Sequence, residues 1–249
     1  MKDLSIVKKP APLQNVALFA ELIERVVERD LDMPGLACFY GYSGLGKTKS
    51  AVYGANRYRA AYVECGQYTT AKSLLVSILA ELGIARPRGN IADLITETIR
   101  LLAADIRRPV IVDEAHHIAH RRFVDVLREL HDKSLAPIIL IGEETLPVQL
   151  AQFERVHNRM LDWVPAQPCN RTDFGLLAKS YCPDIQVSED LTGAILDATR
   201  GNTRRIVVNL ARAKEIAYRE DTTGIDLAAF GGTSAIVTGR APTPRKGMA

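Results

Sequence analysis

Few cysteines, no long apolar run and no lopsided charge characterise this chain of 249 residues. Cys38, Cys65, Cys169 and Cys182 are scattered, without a C-x-x-C pair, and a chain of this length does not depend on disulfides for its core. They read as buried cytosolic thiols. No stretch approaches the length needed to cross a bilayer, and Met1 to Gln14 holds Lys2, Lys8 and Lys9 but no apolar leader segment, so a soluble cytoplasmic protein with no membrane partner is expected. The net charge of +3 permits contact with a polyanion but falls short of a generally basic coat. There is no internal repeat. What is present is apolar residues at 47% of the chain, enough for a sizeable core and against whole-chain disorder.

Phe19, Leu22, Ile23, Val26 and Val27 recur at spacings of three and four, which predicts an amphipathic helix with Asn15 as its cap. After Asp32-Met33-Pro34-Gly35, Leu36 to Tyr40 reads as a strand, the Gly-rich segment as a loop and Lys49 to Tyr58 as a helix. Ala60 to Gly83 forms a second strand and helix, and Ile91 to Ile106 is helical by period. Pro109 to Val112 and Pro137 to Ile141 are short continuous apolar runs, the pattern of strands covered on both faces, with an amphipathic helix through Phe123, Val126, Leu127 and Leu130 between them. This alternation predicts an α/β fold with a doubly wound parallel sheet. From Thr172 the strand signals stop, and Phe174 to Tyr181, Ser188 to Arg200 and Thr203 to Arg219 read as a small helical bundle. The expected organisation is an arm at 1–14, a nucleotide-binding core at 15–166, a helical domain at 167–220 and a mobile tail at 221–249 rich in Gly, Thr and Pro.

Gly41-Tyr42-Ser43-Gly44-Leu45-Gly46-Lys47-Thr48 matches G-x-x-x-x-G-K-[ST] and lies between a predicted strand and helix, as a phosphate-cradling loop requires. Gly41, Gly44 and Gly46 let backbone N–H groups turn toward phosphate oxygens. Lys47 reaches the β and γ phosphates, the Thr48 hydroxyl ligates Mg2+, and Lys49 continues the nucleotide-binding segment into the helix. The second element is Pro109-Val-Ile-Val-Asp113-Glu114, an apolar strand delivering two acids at its carboxyl end, where doubly wound sheets hold ligands. Asp113 is expected to serve Mg2+ and Glu114 to polarise the attacking water. The cofactors expected are therefore ATP and Mg2+. Asp113-Glu-Ala-His116 also suggests a DEAH-type helicase, but a second ATPase-like domain does not fit in this length. His116, His117 and His120 lack supporting Cys or acid ligands for zinc.

These motifs, with Ile139-Leu-Ile-Gly-Glu-Glu-Thr-Leu146 and Gly201-Asn-Thr-Arg-Arg-Ile206, resemble the AAA+ superfamily of P-loop NTPases, and within it the target-selecting ATPases of DNA transposition that include the B protein of phage Mu. The resemblance spans Asn15 to Arg219 and implies a helical lid after the sheet. It implies an arginine finger at Arg159, with Arg155 in reserve, and a second sensor at Arg204, with Arg205 as fallback. It places a polar sensor at Gly142-Glu143-Glu144, where many relatives carry Asn or Gln, so Glu143 is a departure. The implied activity is ATP hydrolysis, the implied partners are double-stranded DNA, a transposase and further copies in an ATP-dependent filament or ring, and Lys72, Arg86, Arg88, Arg121 and Arg122 are the candidate DNA contacts. Forty residues precede Gly41, too few for the extra N-terminal DNA-binding domain of the Mu protein. Two rival expectations are an ExeA-like ATPase serving assembly of a secretion machine and an ATP-binding scaffold of low turnover.

Overall fold

A computed structural model describes residues 12–241. They divide into two compact units, one from Gln14 to Gln167 and one made of Pro12 and Leu13 together with the chain from Pro168 onward.

In the first unit, α1 (Gln14–Val27) precedes β1 (Leu36–Tyr40), α2 (Lys47–Tyr58), β2 (Ala61–Glu64), α3 (Ala71–Glu81) and α4 (Ile91–Ala103). Then come β3 (Val110–Asp113), α5 (His116–His120), α6 (Asp125–Ser134), β4 (Ile138–Gly142), α7 (Leu146–Ala151), α8 (Glu154–His157) and β5 (Met160–Pro165). The five strands form one sheet in the order β2-β3-β4-β1-β5, and every pairing is parallel. Alternation along each strand builds two cores. Leu36, Cys38, Val110, Val112, Ile138 and Leu140 face the layer containing α3, α4 and α6, while Ala37, Phe39, Ile111, Ile139 and Ile141 face α1 and α2. The α1 and α2 helices approach closely at Gly54, where an added Cβ would stand 2.6 Å from the Phe19 ring, and Phe19 in turn meets Phe39 edge to face at 5.3 Å. Starts of α3 and α4 are set locally by reciprocal capping of Thr70 with Ser73 and Asn90 with Asp93.

Asn15 does not cap α1. The helix begins one residue earlier, and the buried Asn15 amide instead donates to the carbonyls of Leu45 and Gln167, both at 2.8 Å, and accepts from the Gln167 N–H at 2.7 Å. A side chain that caps its own helix in sequence logic is drawn away because two distant backbone segments offer it three bonds in place of one.

The second unit holds α9 (Arg171–Tyr181), β6 (Gln186–Val187), α10 (Glu189–Thr199), α11 (Thr203–Arg219), β7 (Gly224–Ile225) and α12 (Leu227–Phe230). Two expectations are corrected here. Strand structure does not stop at Thr172, since β6 and β7 pair in parallel. Nor is the chain after Asp221 loose over this stretch: Ile225, Phe230 and Ile236 are buried in the same core as Phe174, Leu191, Ile206 and Leu210. Asn209, fully buried on α11, exchanges bonds of 3.0 and 2.8 Å with the carbonyl and N–H of Val237, and the Arg212 guanidinium donates to the Ala235 carbonyl. Gly, Thr and Pro dominate the composition there, yet three well-spaced apolar anchors suffice to dock it. The end of the expected tail, 242–249, and most of the N-terminal arm, 1–11, lie outside the described residues.

Candidate functional site

The carboxyl ends of β1, β3 and β4 converge at one edge of the sheet. Leaving β1, the chain turns through Gly41, Gly44 and Gly46, whose φ angles of 151°, 87° and 91° favour glycine. Gly46 caps α2, and a Cβ added there would meet no atom within 4 Å, so the loop encloses open space where a ligand oxygen can approach the backbone. The loop is tethered from both sides. The Gly41 N–H donates to the Gly142 carbonyl at 3.3 Å, and the Leu45 carbonyl accepts from Asn15.

Lys47, the first residue of α2, is buried, and its ammonium folds back to donate to the carbonyls of Gly41 at 2.5 Å and Tyr42 at 3.0 Å. Burial pulls its pKa below the ordinary lysine value, against the opposing fields of Glu114, Asp113, Glu143 and Glu144. Two backbone carbonyls leave one ammonium proton for another acceptor, and the surrounding donor set suits a polyanion. Tyr42, Ser43, Thr48 and Lys49 are exposed around it.

Asp113 ends β3 and is almost fully buried. Its Oδ1 accepts from the Glu114 N–H at 2.8 Å and its Oδ2 from the Tyr62 hydroxyl at 2.9 Å. Each oxygen keeps a lone pair, so the carboxylate is oriented without being used up, and together with the Thr48 hydroxyl it fits a hard cation such as Mg2+. Tyr62 is a participant that motif reading missed; its signal would have been its position on β2 paired with Ile111, two residues before the acid. Burial and the Asp113 charge push the Tyr62 phenol well up, so it remains a donor.

Glu114 follows at φ 53°, an uncommon conformation for a non-glycine residue. Half-burial, the Asp113 charge and, more weakly, Glu143 raise its carboxyl above the ordinary range, with Lys47 opposing. Glu143 and Glu144, just past β4, are exposed but bear electrostatically on Lys47. Lys47, Asp113 and Glu114 are thus brought together, with Thr48 on the same helix start.

Arg159 is not among them. It precedes β5, and its carbonyl accepts from Leu36 N–H at the start of β1, so it occupies the amino edge of the sheet, roughly 15 Å from the loop for a strand of this length. Its guanidinium pairs with Asp132 at 2.8 Å, and Asp132 is shared with Arg128. Arg155 is exposed on α8. In the second unit Arg204 is exposed on the first turn of α11, while Arg205 lies against Gly239, where a Cβ would fall 2.8 Å from its Nε.

Among the basic residues expected to face DNA, the Arg121 guanidinium donates to the Thr69 carbonyl at 3.3 Å, which joins the turn after α5 to the loop between β2 and α3, with Lys72 on the first turn of that helix. Arg122 follows at φ 60°. Arg86 and Arg88 lie instead on the connection leaving the other end of α3. On the β2–α3 loop, Tyr68 is 82% exposed, which no periodicity argument singled out. The four cysteines are all free and buried, and burial raises every one of their thiols, those of Cys65 and Cys169 to about 12. Among the described residues no helix is long and apolar enough to cross a membrane.

An all-parallel five-stranded sheet with a glycine-lined loop after β1 and an acid pair at the end of β3, with β4 between the two strands, defines the fold of an AAA+ P-loop NTPase. The family model described as AAA domain matches residues 30–150, a little under half of the chain. Among solved structures the chain is similar to Cdc6p from Pyrobaculum aerophilum, at a TM-score of 0.63 and 17% identity over 90% of this chain and 66% of that one. It is equally similar, at 0.63 and 16% identity over 94% and 67%, to the ORC1 protein of Aeropyrum pernix, solved in complex with DNA. A Walker-type ATPase of Pyrococcus abyssi follows at 0.61 and 16% over 89% and 72%. The chain therefore spans about two thirds of the length of the first two. No curated protein matches in sequence.

Proposed function

We propose that this protein is an ATP-hydrolysing, sequence-nonspecific DNA-binding protein that oligomerises on duplex DNA and delivers target DNA to a transposase. The observation that carries the nucleotide half is the buried Lys47 ammonium, held only by the Gly41 and Tyr42 carbonyls inside a loop of left-handed glycines. Lys47 and the loop N–H groups bind the phosphates, and Thr48 and Asp113 hold Mg2+, which supplies charge neutralisation when bound. Glu114 accepts the proton of the attacking water. Arg159, at the opposite edge of the sheet from its own loop, serves the site of a neighbouring copy, and Arg204 on the helical lid senses the nucleotide.

The DNA half is supported by the exposed Lys72, Arg121 and Arg122 around the β2–α3 loop, whose contacts to backbone phosphates are salt-sensitive and indifferent to sequence. Exposed Tyr68 beside them adds a surface for sugar or base contact. The transposase partner rests on the motifs shared with the transposition group, Ile139 to Leu146 and Gly201 to Ile206.

Electron microscopy of the purified protein with linear duplex DNA, in ATP and in ADP, tests the whole reading. Filaments or rings on DNA in ATP alone are expected, and Lys47→Ala is expected to lose both nucleotide binding and assembly. Nucleotide binding by Lys47→Ala as tight as the parent's overturns the site. ATP turnover indifferent to DNA points to the secretion-assembly class, and tight ATP binding with negligible turnover points to a scaffold.

A further inference from the structure

We propose that His116 is a positioning residue for Glu114, acting through its Nδ1 as a hydrogen-bond donor to the Glu114 carboxylate. The inference rests on the ATP-hydrolysing reading and concerns what aims its base.

Glu114 leaves β3 in a left-handed conformation, and the chain is caught immediately afterwards: the Ala115 N–H donates to the Ile141 carbonyl at 2.7 Å and the His117 N–H to the Glu114 carbonyl at 3.1 Å. The backbone around the acid is therefore fixed, while its carboxylate is partly exposed and meets Lys47 through its field alone. His116 is held next to it. Its Nδ1 stands 3.3 Å from Glu114 Oε2, yet the angle makes no hydrogen bond, so Nδ1 is a buried nitrogen without a partner. A buried polar atom left unsatisfied in an otherwise well-bonded protein calls for an explanation. The neighbourhood restricts where the ring can go. The His116 ring lies 4.2 Å from that of His117. A small rotation of the Glu114 side chain converts the 3.3 Å approach into a bond and satisfies both groups.

Charge state gives the pairing its use. Burial, then His117, lowers the His116 pKa, with Glu143 opposing, and Lys47 and Asp113 also face it. A neutral imidazole steadies a carboxylate without cancelling its charge, whereas a cation at that distance would weaken it as a base. Glu114 thereby receives orientation from His116 and keeps its capacity to accept a proton.

Three variants of the full chain separate this from a structural role. In His116→Asn the amide nitrogen takes the place of Nδ1; in His116→Gln it reaches only as far as Nε2; His116→Phe keeps the ring and removes the donor. ATP turnover with Mg2+ is measured across ATP concentrations, with thermal unfolding recorded for each protein. The Asn variant is expected to keep kcat within about threefold, while Gln and Phe lose about 30-fold or more, with KM for ATP changed less than about twofold throughout. Equal kcat in the Asn and Gln variants, full kcat in Phe, or a loss confined to KM overturns the proposal, and so does a Phe variant whose lost turnover is matched by lost nucleotide binding. A parent protein that binds ATP without turning it over overturns the hydrolytic reading and this role together; a parent that turns ATP over while Asn and Gln behave alike overturns this role only.

Discussion

The two edges of the first unit's sheet are built to opposite standards. At the amino edge, the charged side chains are held by close protein partners, with the buried Arg29 Nε as an exception. Arg128 holds Asp125 and Asp132, Arg159 shares Asp132, the Arg29 guanidinium donates to the Val26 and Leu135 carbonyls, and the His131 Nδ1–H donates to the Ala136 carbonyl at 2.8 Å. Positive φ angles there, at Arg59 and Leu135, fall at helix C-termini, where the conformation is usual. At the carboxyl edge a lysine is buried among carbonyls, Glu114 takes a positive φ at a strand exit, and a histidine nitrogen has no partner. The amino edge keeps one unpaired nitrogen, on Arg29, while the carboxyl edge combines an unpaired nitrogen with a strained strand exit, at costs of about 1–3 kcal/mol per group that a bound ligand can relieve.

The largest expected break in that contrast is Glu114→Gln, which preserves shape and removes the base. Turnover is expected to fall about 1,000-fold while nucleotide still binds, measured by phosphate release and by a fluorescent ATP analogue. Retained turnover would take Glu114 out of the chemistry.

Arg159→Ala tests whether the quiet edge has work in a neighbouring copy. As a half-exposed ion pair with Asp132 it contributes no more than about 1 kcal/mol to stability, so a folding effect should be slight. A kcat loss of about 100-fold or more is expected if it reaches an adjacent site. Mixing Arg159→Ala with Glu114→Gln then restores activity, because a mixed interface regains one intact site; no recovery argues that both residues act within one copy.

Asn15→Ala sharpens the comparison from the loop's outer side. It leaves the Leu45 carbonyl and the Gln167 N–H without their partner, at a cost of about 1–3 kcal/mol in urea unfolding. Weaker nucleotide binding should accompany the loss, since the phosphate loop is untethered, and unchanged affinity would mean the tether serves stability alone.

The smallest effect belongs to the amino edge. Burial, with the Arg29 charge, lowers the His131 pKa against its bond to Ala136, so the unfolded chain takes up a proton more readily than the folded one. The stability from this group is present above the ordinary imidazole value of about 6.5 and declines as pH falls below it. Unfolding midpoints from pH 7.5 to 5.5 should fall in the parent and fall less in His131→Asn, whose amide can keep the bond; parallel slopes would remove His131 as the cause.

Motif and period made much of this legible. The apolar runs from Leu36, Val110 and Ile138 are strands, the first unit is a parallel α/β sheet, and the segment from Gly41 to Thr48 lies between strand and helix. The misses share one cause. Asn15 is 30 and 152 residues from its partners Leu45 and Gln167, and Tyr62 is 51 from Asp113. No local pattern encodes such pairings. Composition alone points to a mobile tail at 221–249 because it averages over residues, while docking of the part up to Val237 depends on three apolar side chains and on Asn209 across the core.

Chain order alone determined the strand and helix periods, the glycines that permit the loop's left-handed turns and the presence of a lysine and two acids at strand ends, because these depend on neighbours within a few residues. Only tertiary packing decided that Tyr62 orients Asp113, that Asn15 tethers the loop, that His116 is left unpaired beside Glu114 and that Arg159 stands at the far edge. Those outcomes follow from which distant segments share a face of the sheet, and hydrogen-bond geometry is settled over tenths of an ångström once they do.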